Sequence, residues 1–202
     1  MISNPSSPDV FTVGHSTLDI TVFLSLLKQH GIEVVADVRS SPYSRHNPQF
    51  NREILKESLL AIGIQYVFLG DQLGARRSEL ECYADGQARY EKIAQTPAFQ
   101  QGLQRLGQGI ARKRVALLCT EKDPLECHRA ILICRHLKKT IPSIWHILSD
   151  GSLESHEQTE NRLLRQLKLE GEDLFLSKAE ILDDAYERQG KRIAYKEENV
   201  LQ

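Results

Sequence analysis

Short unbroken apolar runs alternate with stretches of helical period along most of the chain. The runs are "VFTVG" at 10 to 14, "EVVADVR" at 33 to 39, "QYVFLG" at 65 to 70, "RVALLC" at 114 to 119 and "IWHIL" at 144 to 148. Their lack of polar alternation predicts strands covered on both faces, and hence parallel ones. Between the first two, "LDITVFLSLLKQHG" sets Ile20, Phe23, Leu24 and Leu27 on one helical face and stops at Gly31, which completes a βαβ unit. "NREILKESLLAIG" repeats the pattern with Ile54, Leu55, Leu59 and Ile62, ending at Gly63. Helical segments follow at about 87 to 95 and 97 to 112, and "ECHRAILICRHLKK" supplies a helix after the fourth strand. Residues 70 to 86 lack periodicity and read as a long loop, a length that is often functional.

This alternation predicts an α/β fold: a Rossmann-like, three-layer α/β/α domain over residues 10 to 150 around a mainly parallel, doubly wound sheet of about five strands. Beyond 150 the pattern changes to helices near 156 to 169 and 173 to 189. Leu163, Leu164 and Leu167 would pack the first of these on the core, making 151 to 190 a helical extension of the same domain. Residues 1 to 9 read as a flexible N-terminus and 191 to 202 as a polar tail, with the last ten residues frayed.

Composition narrows the possible partners. A formal net charge of −1 provides no global basic field, so any anion recognition has to be local. The cysteines, Cys82, Cys119, Cys127 and Cys134, form no CxxC pair, and "MISNPSSPDVFTVGHS" lacks the basic flank and apolar stretch of a signal peptide. A cytoplasmic protein with reduced thiols is expected. No apolar segment approaches the roughly 20 residues that span a bilayer, so no membrane partner is expected. No pattern here encodes an oligomeric state.

A doubly wound sheet places its ligand outside the carboxyl ends of its strands, and the polar residues gather at those ends. The first strand ends in "GHST", where Ser16 or Thr17 would cap the next helix, whose mouth attracts an anion, with His15 beside it. The second ends in "DVRSSPYSRHNPQF". An Asp37–Arg39 pair explains the buried acid, and Arg39, Ser44 and Arg45 are donors suited to a phosphate or carboxylate. After the third come Tyr66, Gly74 and the paired Arg76 and Arg77, a lid or clamp if they are not merely solvated surface. His146 in the fifth strand faces either the crevice or the core.

The fourth strand leads into "LLCTEKDPLECHRAIL". Either "DPLE" is a capping box that starts the helix at Pro124, or it is a separate turn and the helix begins near Cys127. Cys119 at a strand end facing arginines suits a thiolate nucleophile, with Glu121 or His128 as acid or base. The CxxxxxR loop of tyrosine phosphatases and rhodaneses is absent, since the sixth position after Cys119 is Leu125. Cys119, Cys127 and His128 match no zinc spacing, so no metal and no cofactor is expected. Cys127 shares a helical face with Ile131 and Cys134 and reads as a small buried filler.

Gly14–His15–Ser16, the run Asp37 to Ser44, Leu73–Gly74, Cys119 with Glu121, and Cys127–His128–Arg129 follow one another in an order that resembles the bacterial and archaeal domain of unknown function 488 family over roughly residues 10 to 150. Ala75 departs from it, standing where a second glycine is expected. The resemblance implies the α/β fold and a shared crevice, fixes no activity, and associates relatives with nucleotide and nucleic-acid modification. Three functions are carried forward. The first is an enzyme, of hydrolase or transferase type, acting on a phosphate-bearing small molecule or nucleic-acid component. In it Cys119, Glu121, His128, Arg129 and Asp37 do the chemistry and His15, Ser16, Arg39, Ser44, Arg45, Tyr66 and Gly74 bind the ligand. The second is a non-catalytic sensor of a nucleotide or modified base, and the third a transferase or redox protein using Cys119.

Overall fold

The computed structural model describes residues 9–171 and 175–196. The expectations for residues 1 to 8 and 197 to 202 fall outside them. The five apolar runs form parallel strands β1 (Asp9–Gly14), β2 (Val34–Asp37), β3 (Gln65–Phe68), β6 (Val115–Cys119) and β7 (Ser143–Ile147). An antiparallel edge strand, β8 (Leu153–Ser155), completes a six-stranded sheet of order β3-β2-β6-β1-β7-β8. Inserting β6 between β1 and β2 makes the first, second and fourth runs neighbours, so their carboxyl ends lie side by side.

Helices cover both faces. On one, α1 (Ile20–Gln29) and α2 (Arg52–Leu60) bury Phe23, Leu27, Leu55 and Leu59 against Phe11, Val13, Val35 and Leu118 of the sheet. Each such side chain contributes roughly 1.5–3 kcal/mol on leaving water. The alternate strand residues, among them Val10, Ala36, Leu117 and Cys119, face the larger core. That core is built with α4 (Tyr90–Gln95), α5 (Pro97–Ile110), a π-helical stretch Arg129–Cys134 continued by α6 (Arg135–Leu137), α7 (His156–Gln166) and α8 (Lys178–Ile193). Among the described residues no helix is long and apolar enough to cross a membrane.

Three local expectations are corrected, and one open choice is decided. The stretch 70 to 86 is not structureless: it holds α3 (Gly70–Leu73), a 3-10 turn at Leu80–Cys82 and β4 (Tyr83–Ala84), which pairs with β5 (Gln87–Ala88). Helix α1 is capped by Asp19, whose carboxylate accepts from the Thr21 N–H at 2.7 Å, and not by Ser16 or Thr17. Ser16 turns at φ 46° in the loop before it. "DPLE" is the separate turn. Asp123 caps a 3-10 turn at Pro124–Glu126, Glu126 pairs with Arg192, and Cys127 is extended at φ −137°, ψ 138°.

The third correction concerns the carboxyl end. Helix α8 starts at a Ser177–Glu180 capping box and continues past 190 to Ile193. The Ala88 N–H then donates to the Tyr195 carbonyl at 2.9 Å, and Gln87 Nε2 to those of Lys191 and Ala194. Residues 193 to 196 are therefore docked and not frayed.

His146 faces the core. Tyr186 donates its hydroxyl to the Glu160 carboxylate at 2.6 Å and so accepts from His156 Nε2 at 2.9 Å. His156 Nδ1 then accepts from His146 Nε2 at 3.0 Å, and His146 Nδ1 from the Thr12 hydroxyl at 2.7 Å. His156 is neutral along this chain of hydrogen bonds, because a proton added at its Nδ1 would set donor against donor with His146 Nε2. Burial holds His156 down to about 4 and His146 well below the ordinary histidine range.

Candidate functional site

The ends of β1, β2 and β6 meet in register, Gly14 opposite Cys119 and Asp37 opposite Leu118. Past β2, Arg39 folds back on Asp37 through Nε at 2.9 Å and a terminal nitrogen at 2.6 Å, and that nitrogen also reaches the Phe50 carbonyl. Tyr66 OH and the Arg39 backbone N–H add bonds to the same carboxylate. A buried ion pair is tolerable only when satisfied in this way. The other terminal nitrogen of Arg39 donates to His15 Nε2 at 3.2 Å, while His15 Nδ1 donates to the Ser16 carbonyl and the ring stacks on Phe50. Burial and then the Arg39 charge hold His15 down to about 4, so it stays neutral and serves as an acceptor for Arg39.

Past β6, the 3-10 turn brings the chain back so that Cys127 lies beside Cys119. His128 Nε2 donates to the Val38 carbonyl at 3.1 Å, which leaves its Nδ1 lone pair 3.5 Å from Cys119 Sγ and 3.9 Å from Cys127 Sγ. The Arg129 N–H points at Cys127 Sγ from 3.5 Å. Burial pushes the Cys127 thiol up, but the hydrogen bond from the Cys119 S–H and the Arg129 charge outweigh it and hold Cys127 well below the ordinary thiol range. Cys119, the donor of the pair and itself buried, is pushed the other way. The fully buried Arg129 guanidinium donates to the carbonyls of Glu121 and Lys122, bracing the loop that crosses Gly14. A Cβ on Gly14 would lie 1.8 Å from the Glu121 oxygen, so the crossing requires glycine.

Above the cysteines opens a cavity of about 360 Å³. Arg39, Ser40, Ser41, Tyr43 and Ser44 form one wall, and Thr120, Glu121 and Glu126 another. Ala75 and Arg76, Tyr90, and Ile193 with Tyr195 close the rest. The Arg76 guanidinium lies over the Tyr195 ring, 4.6 Å from its centre. Partial burial, and next the Cys127 charge, raise the Glu121 carboxyl above the ordinary range, which suits it to carry a proton.

Of the residues singled out in the sequence, the cavity gathers Arg39, Ser44, Arg76, Cys119, Glu121, Cys127 and His128. Asp37, His15, Tyr66 and Arg129 are outside its lining and brace Arg39 or the 121–122 loop. Gly74 packs against Ser40, whose Oγ would be 2.4 Å from an added Cβ. Ser16 and the exposed Arg45 line no part of it. Sequence reasoning missed Tyr90, Ile193 and Tyr195, which have no local signal, and took Cys127 for a filler. The separate-turn reading of "DPLE" is the signal that would have freed Cys127 from its helical face.

A family model described as "Domain of unknown function DUF488" matches residues 19–135. No curated protein and no solved structure matches the chain.

Proposed function

This chain belongs to the family described as "Domain of unknown function DUF488", and we propose that it is an enzyme whose cavity binds and acts on a phosphate-bearing ligand, a nucleotide or nucleic-acid component. The observation that supports the reading is the placement of Arg39, Arg76 and the hydroxyls of Ser40, Ser41 and Ser44 around a floor of Cys119, Cys127, His128 and Glu121. Guanidinium N–H groups and hydroxyls suit phosphate oxygens, and Arg39 keeps one N–H beyond those given to Asp37, Phe50 and His15. Arg39 enters the wall already oriented by Asp37 and His15, so little side-chain freedom is lost when it binds. Glu126, the second acid in the wall, is paired with Arg192, which reduces its repulsion of an anion. Glu121 then supplies a proton to the leaving group of a hydrolase or transferase reaction.

The test is calorimetry with a panel of nucleotides and pyrophosphate, followed by a product screen on whatever binds. Arg76→Ala should weaken binding about tenfold or more, the value of one charge-assisted hydrogen bond. Glu121→Gln should bind normally without forming product. Saturable binding without turnover in the wild-type chain would make it a sensor, and a panel that does not bind would overturn the reading.

A further inference from the structure

The thiols and the imidazole beneath the cavity are more ordered than an anion pocket requires. Cys119 Sγ, Cys127 Sγ and His128 Nδ1 all lie within 4.8 Å of one another, and the nitrogen is 3.5 Å and 3.9 Å from the two sulfurs. A tetrahedral ion with metal–sulfur bonds of about 2.3 Å and a metal–nitrogen bond of about 2.0 Å separates sulfur from nitrogen by about 3.5 Å.

The surroundings match a metal's outer shell. A ligating histidine gives its other N–H to a carbonyl or carboxylate, which fixes the tautomer. Here His128 Nε2 donates to Val38 O at 3.1 Å and Nδ1 is left as the lone pair facing the sulfurs. The Arg129 N–H supports Cys127 Sγ.

We propose that Cys119, Cys127 and His128 bind one divalent cation of the zinc class. Two thiolates and an imidazole favour such a borderline-soft ion over magnesium or calcium, which take oxygen ligands. Two thiolates cancel the dication and the imidazole stays neutral, so the buried centre carries no net charge. Each thiol still protonated releases its proton to solvent on binding. Sequence spacing hides the trio, because seven residues separate the cysteines and the 3-10 turn at Pro124–Glu126 closes the gap only in three dimensions.

All three ligands line the cavity, so the fourth position opens into it. Three protein ligands with an open position mark a catalytic centre and not a structural one. The ion would polarise a phosphoryl oxygen or a bound water. That role rests on the function proposed above; the ion site itself does not.

The full-length chain, reduced and stripped with a chelator that is then removed, is titrated with zinc by calorimetry and with cobalt(II) by absorbance. The expected result is one ion per chain, proton release seen as a buffer-dependent enthalpy, and a thiolate-to-cobalt charge-transfer band with the visible bands of tetrahedral geometry. Cys127→Ser and His128→Ala should lose those bands, and Cys134→Ala should keep them. Cys127→Ser is nearly isosteric and retains the test if His128→Ala does not fold. No stoichiometric uptake by the reduced wild-type chain, or bands unchanged in Cys127→Ser, overturns the site. Pyrophosphate separates the two proposals. Cobalt bands that pyrophosphate leaves unmoved, with no pyrophosphate binding, support the ion site while the phosphate reading fails. Pyrophosphate binding by a chain that takes up no metal does the reverse.

Discussion

His128 donates its Nε2 hydrogen to the Val38 carbonyl at 3.1 Å. Val38 directly follows β2 and His128 follows the turn after β6, so this bond ties two neighbouring strand ends together across the floor of the cavity. It also sets which nitrogen faces the cysteines, a choice on which their chemistry depends.

Removing that bond should show in stability. His128→Ala should lower the urea-unfolding free energy by about 1–3 kcal/mol, one hydrogen bond plus a buried carbonyl left unsatisfied. A midpoint equal to that of the wild type would mean the bond contributes nothing to the fold.

The polarisation of the cysteine pair predicts an order of reaction. In the chelator-treated, reduced chain a small alkylating reagent should modify Cys127 before Cys119, Cys82 or Cys134, as read by peptide mass mapping. Burial raises Cys82 and Cys134 above the ordinary thiol range, whereas Cys127 lies below it. Added zinc should protect Cys119 and Cys127 together. Faster labelling of Cys134 than of Cys127 would contradict this order.

The neutral histidine chain predicts acid sensitivity. His156 titrates at about 4 in the folded chain, against an ordinary value of about 6.5 for an unfolded one. The unfolded state therefore takes up the extra proton first. The stabilisation is fully present above about pH 6.5 and is lost as the pH falls toward 4, on the order of 3 kcal/mol for this residue. Unfolding midpoints measured from pH 7.5 down to 4.5 should fall less steeply in His156→Gln than in the wild type. Parallel slopes would remove His156 as the cause.

Gly14 has no room for a methyl group. Gly14→Ala should cost about 3 kcal/mol or more by thermal denaturation, because the added carbon would meet the Glu121 backbone and the Arg129 guanidinium. An unchanged melting temperature would show that the 120–122 loop can move aside.

The α/β class, the five parallel strands and the two helices of the smaller core were legible in the residue order, because hydrophobic period is a local property. Asp37 inside an apolar strand likewise implied a partner two residues away, and Arg39 is that partner. Distant closure was not legible. Cys127 lies beside Cys119 because a three-residue turn reverses the chain between them, and Tyr195 reaches the cavity because Gln87 and Ala88 hold the carboxyl end. Arg129 lies outside the cavity lining and donates instead to the carbonyls of Glu121 and Lys122 in the loop crossing Gly14. Each of these outcomes depends on which buried polar group finds a partner far along the chain. Local pattern carries no record of that choice, and the packed structure makes it.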